Sequence, residues 1–98
     1  MAMTQGPGKR KARLFRVRGR VHGVGFRFFV ERNAAQLGVA GWVCNRADGS
    51  VEAWAEADET ALDAFEAKLR QGPALSRVDG VKASSVEAGG ARGFRVRY

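Results

Sequence analysis

Cysteine, histidine and proline are almost missing from this chain of 98 residues: Cys44 and His22 stand alone, and there are two prolines. One thiol cannot close an internal disulfide, so the fold must rest on a packed core, and the simplest compartment is the reducing cytoplasm. No Cys, His or carboxylate cluster has metal-ligand spacing, so no tightly held metal is implied. The C-x5-R spacing of cysteine phosphatases is also lacking, because Ser50 stands where the arginine would be. No apolar run resembles a signal-peptide core or a membrane span. Acid is absent from the first 30 residues, where Lys9, Arg10, Lys11, Arg13, Arg16, Arg18, Arg20 and Arg27 carry eight positive charges.

The residues that remain, 45% hydrophobic and 28% charged, make a globular composition, and the length suits one domain with a single core of two helices on a sheet. The net charge of +7 comes from the front of the chain, since residues 31–98 carry nine basic and ten acidic side chains. Such a field concentrates anions, whether small phosphates, nucleic acid or an acidic membrane. Residues 1–12 have Gly, Pro and charge but no apolar period, and read as a flexible basic tail, either a solvated terminus or a nucleic-acid arm.

From Arg13 to Gly19 the sequence alternates, Phe15 and Val17 facing one way and Leu14, Arg16 and Arg18 the other, which predicts a half-buried strand. From Phe26 to Leu37 the period becomes helical: Phe26, Phe29, Val30, Ala34 and Leu37 form one stripe, ended by Gly38. Val39 to Asn45 and Ser50 to Ala57 predict two strands joined through Asp48-Gly49, with Val43, Asn45, Val51, Ala53 and Ala55 on one face and Trp42 and Trp54 on the other. Asp58 predicts the N-cap of a second helix buried through Leu62, Phe65 and Leu69 and stopped at Gly72-Pro73. Strands over Arg77 to Val86 and Phe94 to Tyr98 follow, the latter with Phe94, Val96 and Tyr98 inward. The order β-α-β-β-α-β plus one short strand predicts an α+β, ferredoxin-like split β-α-β sandwich: an antiparallel sheet of four to five strands with two helices packed on one face.

The stretch Gly19 to Arg27, G-R-V-H-G-V-G-F-R, carries three glycines between the first strand and the first helix. Glycines let successive N–H groups turn inward toward an anion, and the helix start adds its dipole. Arg27 then supplies a planar charged fork suited to two phosphate oxygens. An ordinary tight turn would use the same glycines. Neither better-known phosphate loop is present: no Gly-Lys-Ser/Thr follows, and Phe28 stands where a dinucleotide fingerprint needs its third glycine. His22 could be a general base or contribute only its backbone N–H. Asn45 could orient a water or simply satisfy the turn that follows it.

Taken together, Val17-Arg18-Gly19-Arg20-Val21-His22-Gly23-Val24-Gly25-Phe26-Arg27 and Gly41-Trp42-Val43-Cys44-Asn45-Arg46-Ala47-Asp48-Gly49-Ser50-Val51 resemble the two signatures of the acylphosphatase family, and Phe94-Arg95-Val96-Arg97-Tyr98 is similar to its aromatic, basic ending. The resemblance covers residues 13–98. It implies the ferredoxin-like fold and hydrolysis of the carboxyl-phosphate anhydride bond of acyl phosphates to a carboxylate and inorganic phosphate, without metal or cofactor. It also implies a phosphate-binding loop of His22, Gly23, Val24, Gly25, Phe26 and Arg27, with Arg27 gripping the phosphoryl oxygens and Asn45 orienting the attacking water. His22 departs from the family's usual glutamine, Cys44 from its longer polar side chain or alanine, and Ala57 from its glycine.

The competing function is an RNA- or phosphate-binding module on the same fold, displaying Trp42, Trp54, Arg16 and Arg18 on the open sheet face. Glu52 and Glu56 are expected on that face, where they would repel phosphate, so no specific nucleic-acid or membrane partner is expected. Nothing outside the loop forms a recognisable pocket for the acyl group. The small size favours a monomer.

Overall fold

The protein is described by a computed structural model over residues 10–98. Most of the expected tail, residues 1–9, lies outside the described residues. Seven elements follow: β1 (Lys11–Arg20), α1 (Phe26–Leu37), β2 (Ala40–Asn45), β3 (Val51–Ala57), α2 (Glu59–Gln71), β4 (Arg77–Val86) and β5 (Phe94–Arg97). The strands form one sheet in the order β4-β1-β3-β2-β5. The β1–β3, β1–β4 and β2–β3 pairs are antiparallel, whereas β5 joins β2 in parallel, so the antiparallel sheet expected from sequence is mixed at one edge.

Strand β1 runs longer than its alternating pattern suggested because it has a partner on each side. Lys11 pairs with Ala57, and Ala12 lies between Glu56 and Val86, so both residues expected in the tail belong to the sheet. Phe15 and Val17 enter the core from β1, Val43 from β2, and Val51, Ala53 and Ala55 from β3. The helices supply Phe26, Val30 and Ala34, and Leu62, Phe65 and Leu69. Phe65 is the hinge of this core, its ring 5.7 Å from Phe15 and 5.9 Å from Phe94. Each aromatic pair adds about 1 kcal/mol to what burial already contributes.

Three expectations change. Tyr98 lies beyond β5 and is exposed rather than inward. Gly19 belongs to the sheet and not to the anion loop: at φ 132° it lies where the β1–β4 register shifts, and a Cβ there would collide with the Arg77 carbonyl. Glu56 shares the outer face with Trp54 as expected, but it is 2% exposed because residues 89–91 lie over it. Its carboxylate accepts N–H bonds from Gly89, Gly90 and Ala91 at 3.0–3.1 Å, with Arg10 at 3.4 Å. Burial alone would push the Glu56 carboxyl up, but those three N–H groups and Arg10 outweigh it and hold the carboxyl below the ordinary glutamate range. The sequence shows the parity of Glu56 but not the chain that covers it.

On the outer face, Trp42 and Trp54 are cross-strand partners. Arg97 stacks on Trp42 at 4.5 Å, and Arg16 is drawn toward Asp48 and Glu52 at 3.5 and 3.6 Å. Two members of the imagined stacking surface are thus already engaged within the protein. No helix among the described residues is long and apolar enough to cross a membrane.

Candidate active site

Val21 to Gly25 link β1 to α1 and form a short loop with two left-handed glycines, Gly23 at φ 71° and Gly25 at φ 76°. A Cβ at either glycine would meet nothing within 4 Å, so the backbone angle, and not crowding, favours glycine there. Gly25 is the N-cap of α1, and its side-chain-free position leaves that end without a capping hydrogen bond. The first turn carries no acid. Among the described residues, no protein acceptor takes the N–H groups of residues 22–27. An uncapped helix start preceded by turned peptides has the geometry and dipole that suit an anion.

Arg27 stands in the first turn of α1, half-buried, with no carboxylate partner among the described residues. Its guanidinium lies 4.7 Å from the centroid of the Tyr98 ring. A cation at a helix N-terminus opposes the helix dipole, so this placement is unfavourable unless an anion joins it. Alternation alone puts Tyr98 in the core; its position one residue past β5, beside the end of β2 that carries Asn45, is what brings it to Arg27.

Asn45 ends β2 and pairs with Val51. Its Oδ1 is buried and takes no hydrogen bond from the described residues. The turn that follows has its own acceptor: Asp48 Oδ1 receives the Ser50 N–H at 2.9 Å and the Ser50 hydroxyl at 2.6 Å, while Arg46 N–H donates to the Ser50 carbonyl at 2.8 Å. These bonds, the Ser50 hydroxyl foremost, hold the Asp48 carboxyl below its ordinary range. Asn45 is therefore not needed for the turn. Val21, Gly23, Gly25, Arg27, Asn45 and Tyr98 all line one cavity of about 210 Å³.

His22 points elsewhere. Its Nε2 lies 2.9 Å from the Ser50 carbonyl oxygen, which can only accept, so Nε2 carries a proton and ties the loop to the β2–β3 hairpin. Neither His22 nor Val24 lines the cavity. Glu31, one helical turn beyond Arg27, does line it, and was not singled out from sequence. The i, i+4 spacing from Arg27 was the available signal. Among the described residues, no three His, Cys, Asp or Glu side chains group as a metal site.

A ferredoxin-like α+β sandwich with a left-handed glycine loop, an uncapped helix start and an arginine around one cavity is a small α+β protein of the kind that holds its site in a loop between strand and helix. The comparisons with known proteins agree. The acylphosphatase family profile matches residues 13–96, and the chain belongs to the acylphosphatase family. It is 53% identical over 72 residues to a protein of Koribacter versatilis named acylphosphatase, covering 74% of this chain and 66% of that protein. A Thermus thermophilus protein of the same name is 45% identical over 80 residues, covering 82% of this chain and 91% of its own length. The crystal structure of acylphosphatase from Bacillus subtilis superposes with a TM-score of 0.86 at 38% identity, covering 92% of this chain and all of that one.

Proposed function

We propose that this chain hydrolyses acyl phosphates to a carboxylate and inorganic phosphate, with the N–H groups of residues 22–27 and Arg27 holding the phosphoryl group and Asn45 orienting the attacking water. The observation that carries this reading is the meeting, in one cavity, of a cation, unpaired backbone donors and a buried amide oxygen without a partner. Donors gather around the phosphoryl oxygens, and the buried, unpartnered acceptor Asn45 Oδ1 suits a water proton.

The chemistry asks little more. An acyl phosphate is an activated anhydride whose leaving group is a carboxylate. The water oxygen forms a bond to phosphorus as the bond from phosphorus to the acyl oxygen breaks, and that oxygen keeps the electron pair. The proton of the water passes to a phosphoryl oxygen, so no enzyme base is required. His22, committed through Nε2 to the Ser50 carbonyl, acts by holding the loop in place. The loop, Arg27 and Asn45 act by position and charge, the two terms that dominate phosphoryl transfer. We also propose that the protein works as a cytoplasmic monomer, with neither cofactor nor nucleic acid in the reaction.

Steady-state hydrolysis of benzoyl phosphate with EDTA present tests it, comparing wild type with Arg27→Ala and Asn45→Ala, each checked for folding by circular dichroism. Turnover in wild type, abolished in Arg27→Ala and lowered in kcat more than raised in KM in Asn45→Ala, is the expected pattern. A well-folded wild type without turnover, or a pH profile with one essential base that vanishes in His22→Ala, contradicts it.

A further inference from the structure

The sequence shows no pocket beside the loop, yet the structure has a groove there. A groove of about 920 Å³ runs along α1 between the helix and residues 90–94. Phe28 and Glu31 border both this groove and the cavity at the start of α1, so the two adjoin there. Phe28 opens the groove and is 64% exposed, an unusual state for a phenylalanine on a helix whose other face is core. Further along, Ala35 and Phe94 line it.

Two cations stand over this apolar floor. Arg32 lies 5.5 Å from the centroid of Phe28, and Arg92 lines the opposite wall. Neither pairs with a carboxylate among the described residues, unlike Arg10 at the same groove, which is 3.4 Å from Glu56. The wall that carries Arg92 is fixed in place: Glu56 accepts the N–H groups of Gly89, Gly90 and Ala91, and the Gly93 carbonyl accepts from Gly41 N–H at 2.9 Å.

We infer that this groove binds the acyl half of the substrate, and that it selects acyl groups with an apolar stem of several carbons ending in an anionic group. The inference rests on the phosphoryl reading above. With the phosphate held at the start of α1, the acyl chain leaves past Phe28 and lies along the helix, and its far anion meets Arg32 and Arg92. Burial of the stem provides affinity, and the two cations, exposed to solvent, provide a salt-sensitive preference.

Three synthetic substrates separate the parts: acetyl phosphate, hexanoyl phosphate, and the monoacyl phosphate of adipic acid, whose six-carbon chain ends in a carboxylate. Wild type should show kcat/KM rising in that order. Ala35→Phe, at an exposed helix position, fills the groove without reaching the phosphate cavity. It should leave acetyl phosphate hydrolysis unchanged while reducing kcat/KM for both longer substrates about tenfold, through KM. Arg32→Gln combined with Arg92→Gln should erase only the advantage of adipoyl over hexanoyl phosphate, about fivefold, and added salt should do the same in wild type. Equal kcat/KM for all three substrates in wild type overturns the inference while leaving the phosphoryl site standing. So does a loss in Ala35→Phe that is the same for acetyl as for hexanoyl phosphate. Failure of wild type to hydrolyse any of the three, or benzoyl phosphate, would instead remove the reading beneath it.

Discussion

The two helices of this protein begin in opposite ways. At the start of α2, Asp58 accepts the Ala61 N–H at 2.8 Å, Glu59 sits in the first turn, and Lys68 and Arg70 sit in the last. Each of those charges complements the helix dipole. At the start of α1 the cap is a left-handed glycine with no side chain, no acid is present, and Arg27 stands in the first turn. A fold that optimised only its own stability would treat both ends alike. A third set of loop N–H groups, at residues 89–91, is also satisfied internally, by Glu56. Of these three places, the loop before α1 is the one where, among the described residues, neither a capping side chain nor a carboxylate meets the amides, a contrast that the glycine pattern alone does not show.

Breaking the open end should have the largest effect. Arg27→Ala removes the full charge and should cost about 3 kcal/mol or more of transition-state stabilisation, over a hundredfold in kcat/KM, with the melting temperature unchanged or raised. Turning α1 into a second α2 is the next test. Gly25→Asp keeps a residue that tolerates the left-handed region, but sets a carboxylate at the helix start proposed to hold the phosphoryl group. Repulsion of about 1 to 3 kcal/mol at this half-shielded site should lower kcat/KM about tenfold to a hundredfold, read by the same hydrolysis assay.

Substitutions at the closed ends should reverse the pattern, losing stability and keeping chemistry. Glu56→Gln leaves three N–H groups with one amide oxygen and should lower unfolding free energy by about 2 kcal/mol in urea titrations. Because the folded Glu56 carboxyl is held below its ordinary range, its contribution is complete above the unfolded pKa, about 4.3, and is lost as pH falls through the folded value. Wild type should therefore lose stability more steeply below about pH 4.3 than Glu56→Gln does. Asp58→Ala should have the smallest effect, about 1 kcal/mol in the melting curve, with turnover at 25 °C intact.

Much of this was legible from residue patterns. The helical stripe from Phe26 to Leu37 gave α1 its bounds, because Gly25 and Gly38 punctuate both ends with left-handed backbone. Asp58 declared the cap of α2, and Asp48-Gly49 the hairpin. The illegible parts depend on chain returning from far away. Gly19 looked like a member of the loop because sequence does not show β4 pressing on it. Glu56 looked exposed because period 2 gives a face but not its cover. Tyr98 looked buried because alternation runs on past the point where the strand stops. The parallel docking of β5 on β2 has no local signature, and with it the groove beside α1 was invisible. Arg27 and Asn45 could be named from sequence, but the free Asn45 oxygen could be seen only after Asp48 was found holding the turn.

The central claim is that the start of α1, and not that of α2, is built to receive an anion. Titrating the 15N-labelled protein with inorganic phosphate and following backbone amide shifts addresses it most directly. Saturable shifts in residues 22–27, none in residues 59–62, and their loss in Arg27→Ala are the predicted result. Phosphate shifts of equal size at both helix starts, or shifts in residues 22–27 that persist unchanged in Arg27→Ala, would contradict the claim.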